Sequence, residues 1–197
     1  TALSTYSVNS FVTGGNTDVT SASLSTGSTN VFTLRFNQPQ ATTLTLTGLL
    51  SLEGAGILVT PNVGANNVII TGSAIQNSSS TASLDAVILH QHNTSGHLQI
   101  NSVIQNNTNA QQITKSGAGK VFLNALNTQT GSININEGEL QVGGTAAAPA
   151  VATAATLGAT GTALALNMSE GARLTFLSSD TAVQTMGTIQ GGGTITL

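Results

Sequence analysis

The chain has 197 residues, of which 6% are charged, with four Lys or Arg, seven Asp or Glu and a net charge of −3. Four cations cannot supply the basic surface that binds nucleic-acid phosphates, and the absence of cysteine excludes disulfide bonds and thiolate zinc sites. No apolar run approaches the roughly 18 residues that span a membrane, and the scarcity of titratable side chains disfavours an enzyme.

Short segments in which apolar and polar residues alternate run along the whole chain, and this period of two is typical of half-buried strands. More continuous apolar runs lie among them. Clusters rich in glycine and asparagine separate the segments and predict turns, because these residues tolerate left-handed backbone. In chain order the predicted strands lie at residues 32–36, 44–47, 57–59, 68–70, 87–89, 133–136, 140–142, 164–166, 174–176 and 195–197.

The spacing of these strands favours a solenoid over other all-β folds. Similar segments recur at about 20 to 25 residues, which is typical of units that bury their apolar face only by stacking. A sandwich or barrel has a similar strand spacing. However, the chain contains no Asn-Gly or Asp-Gly hairpin dipeptide, and aromatic residues are only 3% of it. The sequence therefore predicts a parallel β-solenoid of about eight or nine coils.

One run of the sequence resembles a known repeat. Residues 113–123 read Ile-Thr-Lys-Ser-Gly-Ala-Gly-Lys-Val-Phe-Leu, and Asn-Thr-Gln-Thr-Gly at 127–131 and Gly-Glu-Leu-Gln-Val-Gly at 138–143 follow. The run 113–143 resembles the autotransporter-associated β-strand repeat, also called the passenger-associated transport repeat. The resemblance implies a single right-handed β-helix in a secreted or surface-exposed bacterial protein. It implies no catalytic activity, because that repeat is a structural unit without an active site.

The whole chain, 1–197, is expected to form one β-solenoid domain. Within it, residues 1–30 are a strand region that is a candidate inter-subunit contact. The alanine-rich stretch 145–158 interrupts the strand rhythm and predicts an insertion loop. The chain begins with Thr and shows no signal peptide, so we expect that a leader has been removed.

Three histidines are candidate metal ligands. His90 and His92 are two residues apart and would share one face of a strand, and His97 follows after a turn. Three imidazoles could bind Zn²⁺ or Cu²⁺. The alternative is that they are solvent-facing residues of the outer wall, and we expect no bound metal or cofactor.

Other motifs favour structure over chemistry. Glu137 and Glu139 could form the carboxylate pair of a glycosidase, but the repeat contains no Arg or Tyr and the nearest cation by sequence is Lys120, which favours a solubilising rim. The 117–120 segment lacks the Ser or Thr that a phosphate-binding loop needs after its lysine. The 14–18 segment has one copy of a calcium-type turn where two are needed. N-glycosylation sequons occur at Asn77, Asn93, Asn106 and Asn167.

Both ends of the chain lack charge over the first seventeen and the last eleven residues. A β-helix exposes an open strand layer at each end, and charged caps normally block self-association there. Uncharged ends therefore favour head-to-tail polymerisation. The residues predicted to form the polymer interface are Leu3, Tyr6, Val8, Phe11, Ile189, Ile195 and Leu197.

The function predicted from the sequence is structural and non-enzymatic. We expect a subunit of an extracellular bacterial filament or surface layer whose partner is another copy of itself. One alternative is a monomeric surface adhesin or passenger fragment that binds host or polysaccharide ligands. A more remote alternative is a polysaccharide-active β-helix enzyme.

Overall fold

The computed structural model describes residues 5–78, 85–144, 154–177 and 184–197. Over these residues the protein is all-β, as predicted, with a 3-10 turn at Pro61–Val63 and no α-helix. The strands are β1 (Ser7–Val8), β2 (Asn16–Val19), β3 (Ser23–Thr26), β4 (Thr29–Phe36), β5 (Thr42–Leu46), β6 (Leu50–Val59), β7 (Val68–Gly72), β8 (Ala74–Asn77), β9 (Ala86–Gln91), β10 (His97–Ile100), β11 (Val103–Ile104), β12 (Gln112–Ser116), β13 (Lys120–Leu123), β14 (Ile133–Ile135), β15 (Glu139–Val142), β16 (Leu164–Met168), β17 (Arg173–Phe176), β18 (Met186–Gly191) and β19 (Thr194–Thr196).

The strands form two parallel sheets that the chain visits alternately. The first sheet has the order β1-β2-β4-β6-β9-β12-β14-β16-β18, and the second has the order β3-β5-β7-β10-β13-β15-β17-β19. Neighbours in a sheet therefore come from successive passes of the chain, where a pass is one visit to both sheets. The described strand pairs are parallel, so the absence of hairpin dipeptides correctly indicated parallel sheets.

A shorter third row of pairings connects the second sheet back to the first. The first halves of β4 and β6 pair with each other, β6 pairs with β8, and β8 pairs with β11. Beyond β11 the row continues as an isolated bridge between Leu126 and Thr156. The third row therefore has full strands in the early passes and few backbone pairings in the later ones.

Inward-facing side chains from successive passes line up in columns. In the second sheet, Leu44, Ile70, Ile100, Leu123 and Val142 occupy equivalent positions on consecutive strands, and each is buried. Neighbouring strands are about 4.8 Å apart, so these side chains pack directly on one another. The period-two pattern thus places the apolar set in one continuous core shared by all passes.

Close packing of successive passes requires glycine at Gly72. This residue ends β7 with a φ of +103°, a conformation that other residues rarely adopt. A Cβ atom added there would collide with the carbonyl oxygen of Leu46 on the neighbouring pass. The glycine therefore permits a turn that brings the two backbones together.

The predicted insertion loop at 145–158 is described only in its last five residues. The stretch 145–153 lies outside the described residues. Within 154–158, Ala155 and Leu157 are buried in the core, and Thr156 forms the third-row bridge. The end of this segment is therefore part of the stack.

Candidate functional site

The structure brings two of the three candidate histidines together. The rings of His90 and His92 are parallel to within 6° with centroids 6.3 Å apart, and His90 Nδ1 shares a 2.6 Å hydrogen bond with Ser116 Oγ. Burial, and then the charges of His92 and Lys115, lower the pKa of His90. His97 lies on the second sheet instead. The described residues contain no group of three His, Cys, Asp or Glu side chains that could hold a metal.

His97 belongs to a cluster on the outer face of the second sheet. Its ring meets Phe122 edge-on at 4.9 Å, and burial lowers the pKa of His97. On the neighbouring strands, Lys120 Nζ lies 2.9 Å from Glu139 Oε2, and Thr175 Oγ1 donates to Glu139 Oε1 at 2.9 Å. Both carboxylate oxygens of Glu139 are thus occupied, which disfavours a role in glycoside cleavage.

The predicted calcium-type turn and the predicted interface residue Tyr6 meet at one arginine. Arg35 donates to both carboxylate oxygens of Asp18, from Nε at 3.0 Å and from Nη2 at 2.8 Å. The Tyr6 ring lies over the guanidinium carbon at 3.9 Å. The Asp18 hydrogen bonds raise the pKa of Arg35. These three side chains therefore tie β1 to the outer face of the first sheet.

A buried lysine is the largest feature that the sequence analysis missed. Lys115 lies in an inward column of the first sheet and is fully buried. Its ammonium group donates to the carbonyl oxygens of Ser116, Gly117 and Glu137 at 3.2, 2.5 and 2.9 Å. Burial lowers the pKa of Lys115 to about 8, and the charge of Glu137 acts in the opposite direction. Lys115 thus joins the turns of two successive passes. Because Lys115 is two residues after Ile113, the period-two pattern of the strand could have predicted that its side chain faces inward.

Buried amide side chains join successive passes along the third row. Asn127 Oδ1 accepts a hydrogen bond from the Ile104 amide of the preceding pass at 2.8 Å. Asn127 Nδ2 donates to the Thr156 carbonyl of the following pass at 2.7 Å. Gln129 Nε2 likewise donates forward, to the Leu157 carbonyl at 3.0 Å. Side chains therefore supply hydrogen bonds where strand pairing is sparse.

The four sequon asparagines all use their side-chain amides within the fold. Each Nδ2 donates a hydrogen bond, and Asn77 and Asn93 are buried. A glycan attached to any of them would replace these contacts.

The predicted interface residues differ in how exposed they are. Val8 is 63% exposed, Ile189 56% and Leu197 95%, and Ile195 is also exposed. Phe11 is half-buried against the core, and Leu3 lies outside the described residues. In the described residues, four further large apolar side chains that the sequence did not predict at the interface are exposed: Val12, Phe32, Leu126 and Leu177.

The last pass forms an open apolar cavity of about 640 Å³ at the C-terminal end of the stack. Ile189 and Ile195 continue inward columns of the two sheets and line this cavity, since no further described pass covers them. The other lining residues are Ala155, Thr156, Leu166, Leu174, Phe176, Gln184, Met186 and Leu197. Residues that continue the core columns are therefore accessible at the C-terminal end of the stack.

Comparisons with protein-family models, with curated proteins and with solved structures found no match for this chain. The likeness of 113–143 to the autotransporter-associated repeat therefore stays a prediction. Within the described part of the chain, no helix has the length and hydropathy needed to cross a membrane.

Proposed function

We propose that the chain is a right-handed β-helix of about eight or nine coils and the structural subunit of an extracellular bacterial filament or surface layer. The two parallel sheets support the β-helix, because crossover connections between parallel strands are right-handed in almost all proteins. The bacterial extracellular setting rests on the resemblance of 113–143 to the repeat. The internal pairing of Glu139 and Asp18 favours a structural role over catalysis.

The position of the exposed apolar side chains carries the proposal. Eight large apolar side chains are exposed in the described residues, and all except Leu126 lie within the first 32 or the last 21 residues. Because the passes stack in chain order, these side chains gather towards the two ends of the stack. Exposed apolar patches of this kind typically mark interaction sites.

The sheet edges at the two ends are compatible in direction. The outermost strands are β18 and β19 at one end and β1 and β3 at the other, and the described pairings within both sheets are parallel. A contact between opposite ends of two copies therefore continues each sheet in the same direction. Such a contact is heterologous and does not close, so it produces a filament.

Replacing both Ile189 and Ile195 with lysine should abolish filament formation, because two unpaired ammonium groups would have to be buried in an apolar contact. Light scattering against concentration and negative-stain microscopy measure the loss. Leu126→Lys is the matched control, since Leu126 is 51% exposed but lies on the side of the stack. We expect this control to form filaments like the unmodified chain.

Circular dichroism and thermal unfolding should show that both lysine variants remain folded. Filaments that persist in the double variant would contradict the proposed ends. An unmodified chain that stays monomeric at all concentrations would contradict end-to-end assembly itself and favour the monomeric adhesin.

A further inference from the structure

The two ends do not match if one copy simply stacks on the next. At the N-terminal end, β1 lies one strand beyond β2 in the first sheet, whereas the outermost strand of the second sheet is β3. After β1 the chain turns back at Asn9, which has a φ of 50°, without forming a second-sheet strand. If β18 packed on β1, then β19 would face β3 across an empty strand position, about 10 Å away.

The mismatch disappears if β18 of one copy takes the place of β1 on the next copy. In that arrangement β18 pairs with β2 while β19 pairs with β3, so both sheets continue without a gap. The strand registers are compatible with this fit. One inward column of the first sheet begins at Ser7 and Thr17 and ends at Gly191, so Gly191 would lie beside Thr17. Gln190 would then lie beside Asn16 and extend the polar column that contains Asn167.

An unused hydrogen-bond donor at the C-terminal end points to the same kind of contact. Gln184 Oε1 accepts hydrogen bonds from the amides of Leu157 and Gly158 on the preceding pass, each at 3.1 Å. Its Nε2 is buried without a partner, and Gln184 lines the end cavity. Asn127 in the third row accepts from the preceding pass and donates to the following one. By the same pattern, Gln184 Nε2 is placed to donate to a backbone carbonyl of a following pass.

We infer that β1 is a displaceable plug, and that β18 of a second copy replaces it on β2 when two copies join end to end. This inference rests on the proposed assembly and specifies its partner strand. The plug, Ser7–Val8, pairs with β2 at two positions, and both of its residues are exposed. Its neighbours add contacts that exchange must break, since Tyr6 lies on Arg35 and Asn9 bonds to Asp18, Thr20 and Ser21. In this register the incoming β18 pairs with β2 through Gln190 and Gly191, beside Asn16 and Thr17, and its earlier residues extend over the segment that precedes β2. Exchange therefore keeps two paired positions on β2 and also brings β19 onto the uncovered edge of β3.

A disulfide that locks the plug tests the inference. Ser7 and Thr17 are register partners, and adjacent parallel strands place Cα atoms within the range that a disulfide bridges. The chain has no cysteine of its own. Oxidised Ser7→Cys/Thr17→Cys should lose filament formation, and reduction should restore it. Thr43→Cys/Ile69→Cys, a register pair within the second sheet, is the control that should assemble in both redox states.

A second pair of variants tests the register of the junction. Ser23 and Thr196 are at opposite ends of one outward column of the second sheet, so strand exchange places them side by side on neighbouring copies. Ser23→Cys/Thr196→Cys filaments should form intermolecular disulfides, whereas Ser25→Cys/Thr196→Cys filaments, displaced by two residues, should not. Strand exchange is contradicted if the oxidised Ser7→Cys/Thr17→Cys variant assembles as well as its reduced form. It is also contradicted if Ser23→Cys/Thr196→Cys filaments do not cross-link. In either case the proposed end-to-end assembly is still supported by the filaments themselves. If the unmodified chain forms no filaments, the proposed function fails instead.

Discussion

Between pH 8 and pH 10.5 the free energy of unfolding should rise with pH, and the Lys115→Met variant should lack most of this rise. Lys115 is fully buried, and burial lowers its pKa from 10.5 to about 8. In this range the folded protein holds Lys115 largely neutral, whereas the unfolded chain still binds the proton. The unfolded state therefore binds more protons, and raising the pH favours the folded state.

The size of the effect follows from the two pKa values. The difference between 10.5 and about 8 corresponds to about 3 kcal/mol, since one pKa unit corresponds to 1.36 kcal/mol. Burial of the charged Lys115 lowers the free energy of unfolding by this full amount below pH 8. The loss is removed progressively as the pH rises to 10.5. Three carbonyl acceptors stabilise the ammonium group, so a smaller rise than this is compatible with the contacts.

Urea unfolding of the unmodified chain and of Lys115→Met at pH 7.5 and at pH 10 measures the difference. Lys120→Met is the matched control, because it removes a lysine from the outer surface of the next strand, where Lys120 is paired with Glu139. The control should keep the rise that Lys115→Met loses. Equal pH dependence in the unmodified chain and in Lys115→Met would show that burying the ammonium group does not lower the free energy of unfolding.

The alternating pattern predicted the core faces of most strands, but it was wrong for Phe32, which is 41% exposed because the register of β4 shifts between Val31 and Thr33. In segments such as 44–47 and 140–142, the apolar residues of the pattern are inward and buried. This succeeded because the direction of a side chain in a strand depends only on local position. The same rule places Lys115 inward, because it is two residues after buried Ile113 on the same strand. A lysine, however, is normally assigned to the surface.

Contacts between passes could not be predicted, because the length of a pass varies. Thr33 bonds to Asn16 across 17 residues, whereas Asn167 bonds to Asn134 across 33. A fixed period therefore does not give the register, and the Lys120–Glu139 ion pair went unrecognised although both residues were considered. The role of Asn127 could likewise not be predicted, because it depends on how few backbone pairings the third row retains.

Replacing Asn127 with leucine should lower the free energy of unfolding by about 3 kcal/mol. Asn127 is buried and holds the Ile104 amide of the preceding pass and the Thr156 carbonyl of the following pass. Leucine has a similar size but cannot form hydrogen bonds, so both backbone groups would be left buried and unpaired. Each such group costs roughly 1–3 kcal/mol.

Asn134→Leu is the matched control for the amide role. Asn134 also contacts successive passes, but its bonds are to the Gln112, Thr114 and Asn167 side chains on the half-exposed outer face of the first sheet. Water can replace these partners, so we expect a loss below about 1 kcal/mol. Urea unfolding of both variants provides the comparison. Equal losses in the two variants would mean that the third row is held by its apolar contacts, and that Asn127 does not substitute for the missing strand pairing.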